Sequence, residues 1–429
     1  MSARRFRLGI IALICLIPLT GRTGGFSNAD FGVRRMGMFA VVGYPDDLTA
    51  LFHNPAGLVL SPGTNFYHSQ SWFFSELAFR MYDNEGILRP DHEIEPDWSI
   101  GAIPFLGFST DFGVDWLRVG TAIYSPNAYG AVLPNDEPTR YHVTRALFLA
   151  SRWTTSAAVR ISPKFSAGLS INMIHVYLTA SRVMNLSVLS NPDVRFLSPE
   201  ETSAGDMDLT IDGQDLTWSW DLGFLFEPIP SLHIGTSFAA GSAVSLEGGV
   251  RLKYADGTVE RARHTTTMAI PFTLRAGFNW EFVTDFQVAM DVRMWHYQVF
   301  QEQYTRLSEP ITAAQITEFR DPKNYKQSFN WCIGLLYKMT PNFDVMMGFQ
   351  QDFTPIPEET FTLDNPSRDQ MGVSLGLRWQ VNPSWRLGLA FVRNWFELVD
   401  IQKSISTPPS NAKGHGANSE VGFDLQFTL

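Results

Sequence analysis

Several stretches of the sequence alternate strictly between large apolar residues and small or polar ones, a pattern typical of strands with two unlike faces. Residues 371–380 place Met, Val, Leu, Leu and Trp at odd positions, with Gly, Ser, Gly, Arg and Gln between them. Residues 285–295 and 420–429 repeat the pattern. The polar faces are rich in glycine, alanine and serine, which favours a hydrated interior surrounded by a lipid-facing apolar surface. A large soluble sandwich is the alternative.

The composition excludes two other classes of protein. Only 18% of the 429 residues are charged, although 13% are aromatic, and the mean hydropathy is −0.06. No apolar run of about 18 residues occurs beyond the amino terminus, which excludes helical transporters and channels. Leucine, isoleucine, valine and phenylalanine are abundant, so the chain is not disordered.

The amino terminus predicts export. Arg4, Arg5 and Arg7 precede an apolar run over residues 8–19, which predicts a signal peptide over residues 1–24 with cleavage between 22 and 29. Removing residues 1–24 removes four arginines and no acid, so the net charge changes from −10 to −14. Nucleic acid is a poor partner for such a chain. Cys332 is then the last cysteine, so no intramolecular disulfide forms, and a bacterial envelope is the expected location.

The breaks between strands predict their number. Six short turns alternate with seven longer polar stretches, which gives 14 antiparallel strands over residues 64–429. Among them we expect a third strand over 114–125, a fourth over 140–161 and a seventh over 231–247. The predicted fold is therefore an all-β, 14-stranded transmembrane barrel with both chain ends on the periplasmic side.

Residues 25–63 do not alternate in this way. Asp46 and Asp47 precede a short apolar stretch that suggests a capped helix, and Asn54 followed by Pro55 ends it, because a residue before proline is pushed out of the helical region. This segment either hangs in the periplasm or folds into the lumen as a plug. A barrel of this size has room for a plug.

The stretch 46–58, with the sequence DDLTALFHNPAGL, strongly resembles the hatch signature of the FadL/TodX family of outer-membrane transporters. Similarity continues in the same order along nearly the whole mature chain. The further matching stretches are 124–130, 139–141, 271–277, 352–357 and 363–369.

The resemblance implies passive uptake of hydrophobic or amphipathic molecules, such as long-chain fatty acids or aromatic hydrocarbons, with sideways release into the membrane. It makes residues 25–63 a hatch or plug, with Asn54, Pro55, Ala56 and Gly57 at its gate. It also implies an inward kink in the third strand, for which Tyr124, Ser125 and Pro126 are the candidates. From composition alone, the Asn-Pro-Ala-Gly stretch is more simply a helix stop and turn.

Six charged residues are expected on the lumen side, because they lie at the polar positions of alternating strands or near the end of a strand. They would either guide the polar end of a ligand or, as we favour, pair across the barrel and support the hatch, because buried charges are normally paired. These residues are Asp291, Arg293, Asp344, Asp352, Arg378 and Arg386.

No catalytic motif accompanies this pattern. The sequence contains neither a Gly-x-Ser-x-Gly elbow nor a His-Glu-x-x-His motif, so we expect no enzymatic activity, cofactor or metal. The expected partners are a hydrophobic ligand, outer-membrane lipid including lipopolysaccharide, and the barrel-assembly machinery, with the protein itself a monomer. A non-transporting scaffold or secretion accessory of the same fold is the alternative function.

Overall fold

The structure is a computed structural model that describes residues 30–83, 85–89, 93–96, 100–185, 205–312 and 315–429. The predicted signal peptide over residues 1–24 lies outside the described residues. So does most of the long polar stretch between residues 181 and 206. In the part of the chain that is described, no helix is both long enough and apolar enough to cross a membrane.

Fourteen strands form one closed antiparallel ring, as predicted. The ring closes because the last strand pairs along its whole length with the first, from Asn65 opposite Thr428 to Met81 opposite Ala412. The ring strands are β1 (Asn65–Met81), β2 (Ile100–Thr110), β3 (Leu117–Val132), β4 (Arg145–Ser162), β5 (Phe165–Asn185), β6 (Asp206–Ile229), β7 (Leu232–Ala239), β10 (Thr273–Val283), β11 (Phe286–Trp295), β14 (Ser328–Thr340), β15 (Phe343–Asp352), β16 (Gln370–Asn382), β17 (Trp385–Phe396) and β19 (Ala412–Thr428).

The two ends of the barrel differ in their connections. Six short turns lie at the end where β1 starts and β19 finishes, and we call this the short-turn end. The opposite, long-loop end carries the long connections and, in the part of them that is described, three short 3-10 helices. These helices are Pro138–Tyr141, Tyr297–Val299 and Glu358–Thr360.

Among the described residues, five further strands extend the wall at the long-loop end. One hairpin pairs with the first half of β6, from Met207 to Gln214, and its second strand pairs with a second hairpin. The barrel wall therefore continues beyond the closed ring on this side. The added strands are β8 (Ser242–Tyr254), β9 (Val259–Ile270), β12 (Glu302–Ile311), β13 (Ile316–Pro322) and β18 (Val399–Ile401).

The third, fourth and seventh strands each have one predicted boundary that is wrong. The seventh strand, expected over 231–247, ends at Ala239, because the following residues belong to the hairpin of β8 and β9. The fourth strand, expected from residue 140, starts at Arg145, because residues 138–141 form a 3-10 helix. The third strand, expected to end at residue 125, continues through Pro126 to Val132. A proline is tolerated there because it lies in a register shift, where its missing N–H leaves no ladder partner unsatisfied.

Exposed and buried positions alternate along the ring strands, and the large apolar side chains occupy the exposed ones. On β16, Leu375 is 58% exposed and the neighbouring Ser374 only 4%. A soluble protein would bury these large apolar side chains. The outer surface is therefore suited to lipid and the inner surface to a polar interior.

Residues 30–60 lie inside the barrel and are almost all buried, and we call this segment the hatch. It contains α1 (Val33–Met38), α2 (Ala50–His53) and a 3-10 helix over Pro55–Leu60. The Asp47 carboxylate accepts a hydrogen bond of 2.8 Å from the Thr49 amide, just before α2 begins. The helix stops before Pro55, as the sequence predicts.

Candidate functional site

The hatch is tied to the wall by a cluster of charges near the short-turn end. The Asp46 carboxylate accepts two hydrogen bonds of 2.9 Å from Arg378 on β16, and Arg34 lies 3.5 Å from it. Arg386 on β17 donates to the Asp46 carbonyl at 3.1 Å. Burial alone would raise the pKa of Asp46, but the guanidinium groups of Arg34, Arg378 and Arg386 outweigh it and hold the pKa below its usual range. Asp344 pairs with Arg378 from the other side, at 2.8 Å.

A second tie holds the middle of the hatch. The Asp291 carboxylate on β11 accepts hydrogen bonds from the amides of Val41 and Val42, at 2.7 and 3.0 Å. Arg293 donates to the Phe39 carbonyl and to Asp291, both at 3.3 Å. The wall thereby satisfies backbone groups of a hatch segment that has few partners of its own, which a buried segment requires.

Five of the six predicted lumen residues therefore contact the hatch or a residue that does. Asp352 lies at the long-loop end of β15, where it is 7% exposed and opposite Asn330 and Gln370. A role of any of the six toward a ligand stays a prediction.

The Asn-Pro-Ala-Gly turn links the hatch to itself and to the wall. The side-chain nitrogen of Asn54 donates hydrogen bonds to the Val42 carbonyl in the hatch and to the Phe224 carbonyl on β6, both at 3.1 Å. Its side-chain oxygen accepts a hydrogen bond from the Ala56 amide at 3.2 Å. At Gly57 a Cβ would lie 2.1 Å from the Pro45 ring, so a larger residue does not fit in this turn.

Glycines on the inner face let the wall approach the hatch backbone. A Cβ at Gly235 would lie 2.0 Å from the Val42 carbonyl oxygen, and one at Gly334 would lie 2.1 Å from the Met38 carbonyl oxygen. Contacts this short leave no room for any side chain. The glycine-rich inner face therefore has a second cause besides a hydrated lumen, namely close packing against the hatch.

The wall is not hydrogen-bonded throughout. Strand β2 pairs with β3 only from Phe105 opposite Tyr124 to Thr110 opposite Val119. Beyond this stretch, residues 100–104 of β2 pair only with β1, and residues 127–132 of β3 pair only with β4, within the described residues. The register of β3 shifts between Tyr124 and Asn127. The candidate kink residues therefore mark the start of an unpaired seam between two strands.

An aromatic cluster lies between the hatch and this seam. The Tyr124 ring stacks on Phe105 at 5.0 Å between centroids and contacts Phe31 and Phe52 of the hatch at 5.2 and 5.6 Å. Its hydroxyl bonds to Thr154 on β4 at 2.7 Å. Ala56 belongs to the same buried cluster, so the seam, the turn and the hatch share one apolar core.

Apolar surfaces continue from the seam in two directions. Toward the long-loop end, Tyr129 stacks on Phe148 at 5.3 Å and starts a second buried cluster that reaches Trp295 and Phe300 on the far wall. On the outer surface, below the seam, a groove of about 530 Å³ has Ile123 among its lining residues. Other exposed residues of this groove are Phe66, Leu106 and Trp153.

Two inner-face residues that are not among the six predicted ones also contact the hatch. The Asp424 carboxylate on β19 accepts hydrogen bonds from the Val33 amide at 3.0 Å and from the Tyr67 hydroxyl at 2.8 Å. Arg275 on β10 donates to the Phe52 carbonyl at 3.1 Å, and its guanidinium lies 4.7 Å from that ring. Both residues lie at polar positions of alternating strands, so the sequence could have placed them on the inner face.

A family model matches residues 19–429, and it is described as outer membrane protein transport protein (OMPP1/FadL/TodX). The chain belongs to this family. The FadL/TodX resemblance is thereby confirmed over nearly the whole chain, and with it the outer membrane as the location. No curated protein sequence matched the chain.

Solved structures with the same fold include two from Pseudomonas species. A Pseudomonas aeruginosa FadL homologue superposes with a TM-score of 0.77 at 15% identity, over 96% of this chain and 99% of that one. The Pseudomonas putida toluene transporter TodX superposes with a TM-score of 0.71 at 16% identity, over 96% and 99%. At such low identities these FadL/TodX structures show the shared fold alone.

Proposed function

We propose that this FadL/TodX protein takes up hydrophobic or amphipathic molecules and releases them sideways into the outer membrane through the seam between β2 and β3. The observation that carries the proposal is the loss of strand pairing beyond Phe105 and Tyr124. Fatty-acid-like molecules and aromatic hydrocarbons are the candidate substrates, and toluene is the compound named for the similar TodX structure.

The surfaces around the seam support a sideways exit. A solute at the aromatic cluster of Phe31, Phe52 and Tyr124 is separated from the bilayer only by the seam, and the apolar groove outside receives it. Burying apolar surface stabilises a solute by roughly 25 cal/mol per Å², so a solute of about 200 Å² loses about 5 kcal/mol on entering water. Release into lipid avoids this loss.

In this proposal the hatch closes the barrel to polar solutes. Asn54, Pro55, Ala56 and Gly57 form the turn that fixes the hatch against β5 and β6, and Tyr124, Ser125 and Pro126 border the exit. The charges at Asp46, Asp291 and their arginine partners hold the hatch in place and are not assigned to the ligand. We assign the chain no catalytic activity, and we propose that it inserts as a monomer with the help of the barrel-assembly machinery.

A reducible cross-link across the seam tests the exit. Pro104 and Ser125 are the next positions after the last registered pair, and both are half-buried on the outer side. The variant Pro104→Cys/Ser125→Cys, in a Cys332→Ser background, is treated with a bifunctional thiol reagent whose linker contains a disulfide. Uptake of a labelled fatty acid and of labelled toluene is then measured in cells, before and after reduction.

The matched control is Thr110→Cys/Val119→Cys in the same background, because these residues face each other in the paired part of β2 and β3. We expect the cross-link to abolish uptake in the seam variant, reduction to restore it, and the control to transport throughout. Undiminished uptake through a sealed seam would contradict the sideways exit. Absence of uptake in every form, with a folded barrel, would instead favour the scaffold alternative.

A further inference from the structure

Three arginines form an exposed cluster on the hairpin that extends the wall at the long-loop end, and we call it the outer arginine patch. Arg251 on β8 lies directly opposite Arg261 on β9, and Arg263 lies two residues further along β9. All three side chains are exposed. Like charges directly opposite each other destabilise a β-ladder. Negative charge near the two arginines would offset this repulsion.

The patch faces outward, in the same direction as the lipid-facing side chains. Thr210 on β6 is paired with Arg251, and it has the same parity on β6 as the exposed Leu216 and Trp218. The opposite face of the hairpin is covered, because Val250, Leu252 and Ala262 are buried in a separate apolar cluster. The arginines thus continue the outer surface of the barrel beyond the membrane-embedded part.

The height of the patch places it in the lipid headgroup layer. Arg263 lies opposite Gly249, which pairs with Asp212, and Arg251 pairs with Thr210. Asp212 and Thr210 are four and six residues from Leu216 on β6, which is roughly 13 to 20 Å along the strand. A strand tilt of about 40° reduces this to about 10 to 15 Å above the last exposed apolar residue of β6.

Within the described residues, the arginines of the patch lack the carboxylate partner that three other outward arginines have. Arg80, Arg320 and Arg393 are ion-paired, with Glu93 at 3.3 Å, Glu318 at 2.9 Å and Glu76 at 2.7 Å respectively. Within the described part of the chain, none of the three patch guanidinium groups forms an ion pair.

The patch lines a recess that has space for an anion. This recess of about 480 Å³ also contains Asp212 and Glu309, so the three arginines exceed the two carboxylates by one positive charge. The chain as a whole is acidic, with a net charge of −10, so an exposed group of unpaired arginines stands out against its surroundings.

We propose that the outer arginine patch binds the phosphate groups of the anionic glycolipid of the outer leaflet, lipopolysaccharide. Arginine is the residue best suited to this, because its planar guanidinium donates two parallel hydrogen bonds to a phosphate. Basic clusters just beyond an apolar membrane surface recognise anionic lipid headgroups in other membrane proteins. The proposal depends on the outer-membrane location and is independent of what the barrel transports.

The test compares two lipids and two variants of the full-length protein in detergent. The probes are lipid A with both phosphates and the same lipid after removal of its phosphates, and bound lipid is measured by native mass spectrometry over a range of salt concentrations. The variant Arg251→Gln/Arg261→Gln/Arg263→Gln removes the patch. The control Arg80→Gln/Arg320→Gln/Arg393→Gln removes the same charge from the ion-paired outward arginines.

We expect the patch variant to bind phosphorylated lipid A about tenfold or more weakly than the unmodified protein, and the control to stay within about twofold. The unmodified protein should bind the dephosphorylated lipid as weakly as the patch variant binds the phosphorylated one. Retention of a heat-resistant band shift on gels shows that each variant is folded. Equal losses in both variants, or equal binding of the two lipids by the unmodified protein, would overturn the proposal.

Discussion

Arg378 of β16 places one guanidinium nitrogen 2.9 Å from both carboxylate oxygens of Asp46 in the hatch. The two residues are 332 positions apart, and the same arginine also pairs with Asp344 on the wall. Arg34 and Arg386 complete the cluster around Asp46. Three arginines, the buried Arg34 and the half-buried Arg378 and Arg386, therefore converge on one residue of the hatch.

The variant Asp46→Asn should loosen the hatch. Removing one partner of a buried ion pair costs about 3 to 5 kcal/mol. Here Arg34 loses its carboxylate partner, whereas Arg378 keeps Asp344. We expect a lower thermal unfolding midpoint and faster swelling of protein-containing liposomes in small polar solutes such as arabinose.

Asp400→Asn serves as the control for this experiment. Asp400 pairs with Lys413 at 3.3 Å on the exposed surface of the long-loop end, and such pairs contribute about 0 to 1 kcal/mol. Swelling rates and unfolding midpoints that are equal in the Asp46 and Asp400 variants would argue against the structural role of the Asp46 cluster.

The pKa of Asp47, the next residue, is shifted in the opposite direction to that of Asp46. Burial and the neighbouring charge of Asp46 raise the pKa of Asp47 to about 6, although Arg386 and the Thr49 hydroxyl oppose the rise. The docked hatch therefore holds a proton at pH values where an undocked hatch has released it. Docking should weaken as the pH rises from about 4 through 6.

Hydrogen exchange over residues 46–53, corrected for the intrinsic pH dependence of exchange, measures this effect. We expect greater protection at pH 5 than at pH 7, and a much smaller difference in Asp47→Asn. The Asp400→Asn protein should behave as the unmodified one. Protection that is the same at both pH values in the unmodified protein would refute the assignment.

Gly235→Ala should displace the central part of the hatch. The added methyl group would lie 2.0 Å from the Val42 carbonyl oxygen, which is backbone and can yield only by moving the chain. Overpacking of this kind costs roughly 1 to 3 kcal/mol. We expect a lower unfolding midpoint and faster hydrogen exchange around Val41 and Val42, whose amides bond to Asp291.

The control is Gly249→Ala on β8, where the added Cβ meets only the Asp212 carboxylate at an ordinary 3.5 Å. This variant should leave the exchange of the hatch unchanged. If Gly235→Ala matches it in both measurements, the wall tolerates a side chain at this position and the close packing is not required.

The number of strands could be predicted from the sequence because the alternation of apolar and polar residues is a local property of each strand. Each ring strand carries its own alternation, as Ser374 and Leu375 illustrate, and each short turn has its own turn residues. The error over 231–247 has the same origin, because residues 242–247 alternate as well as those of β7 and nothing local separates a ring strand from an added hairpin.

The contacts of the hatch could be predicted only in part. Parity placed Asp291 and Arg378 on the inner face, but their partners at Val42 and Asp46 follow from tertiary packing between segments hundreds of residues apart. Gly235 shows the same limit. A glycine on a polar face is ambiguous in sequence, and its role is apparent only when the Val42 carbonyl is seen against it.

The hydrogen bond between the Val33 amide and the Asp424 carboxylate has a consequence for biogenesis. These residues are 391 positions apart, so the partner of α1 is synthesised and exported long after α1 itself. The hatch cannot reach its final position until β19 has joined β1. Docking of the hatch is therefore completed only when the barrel has closed.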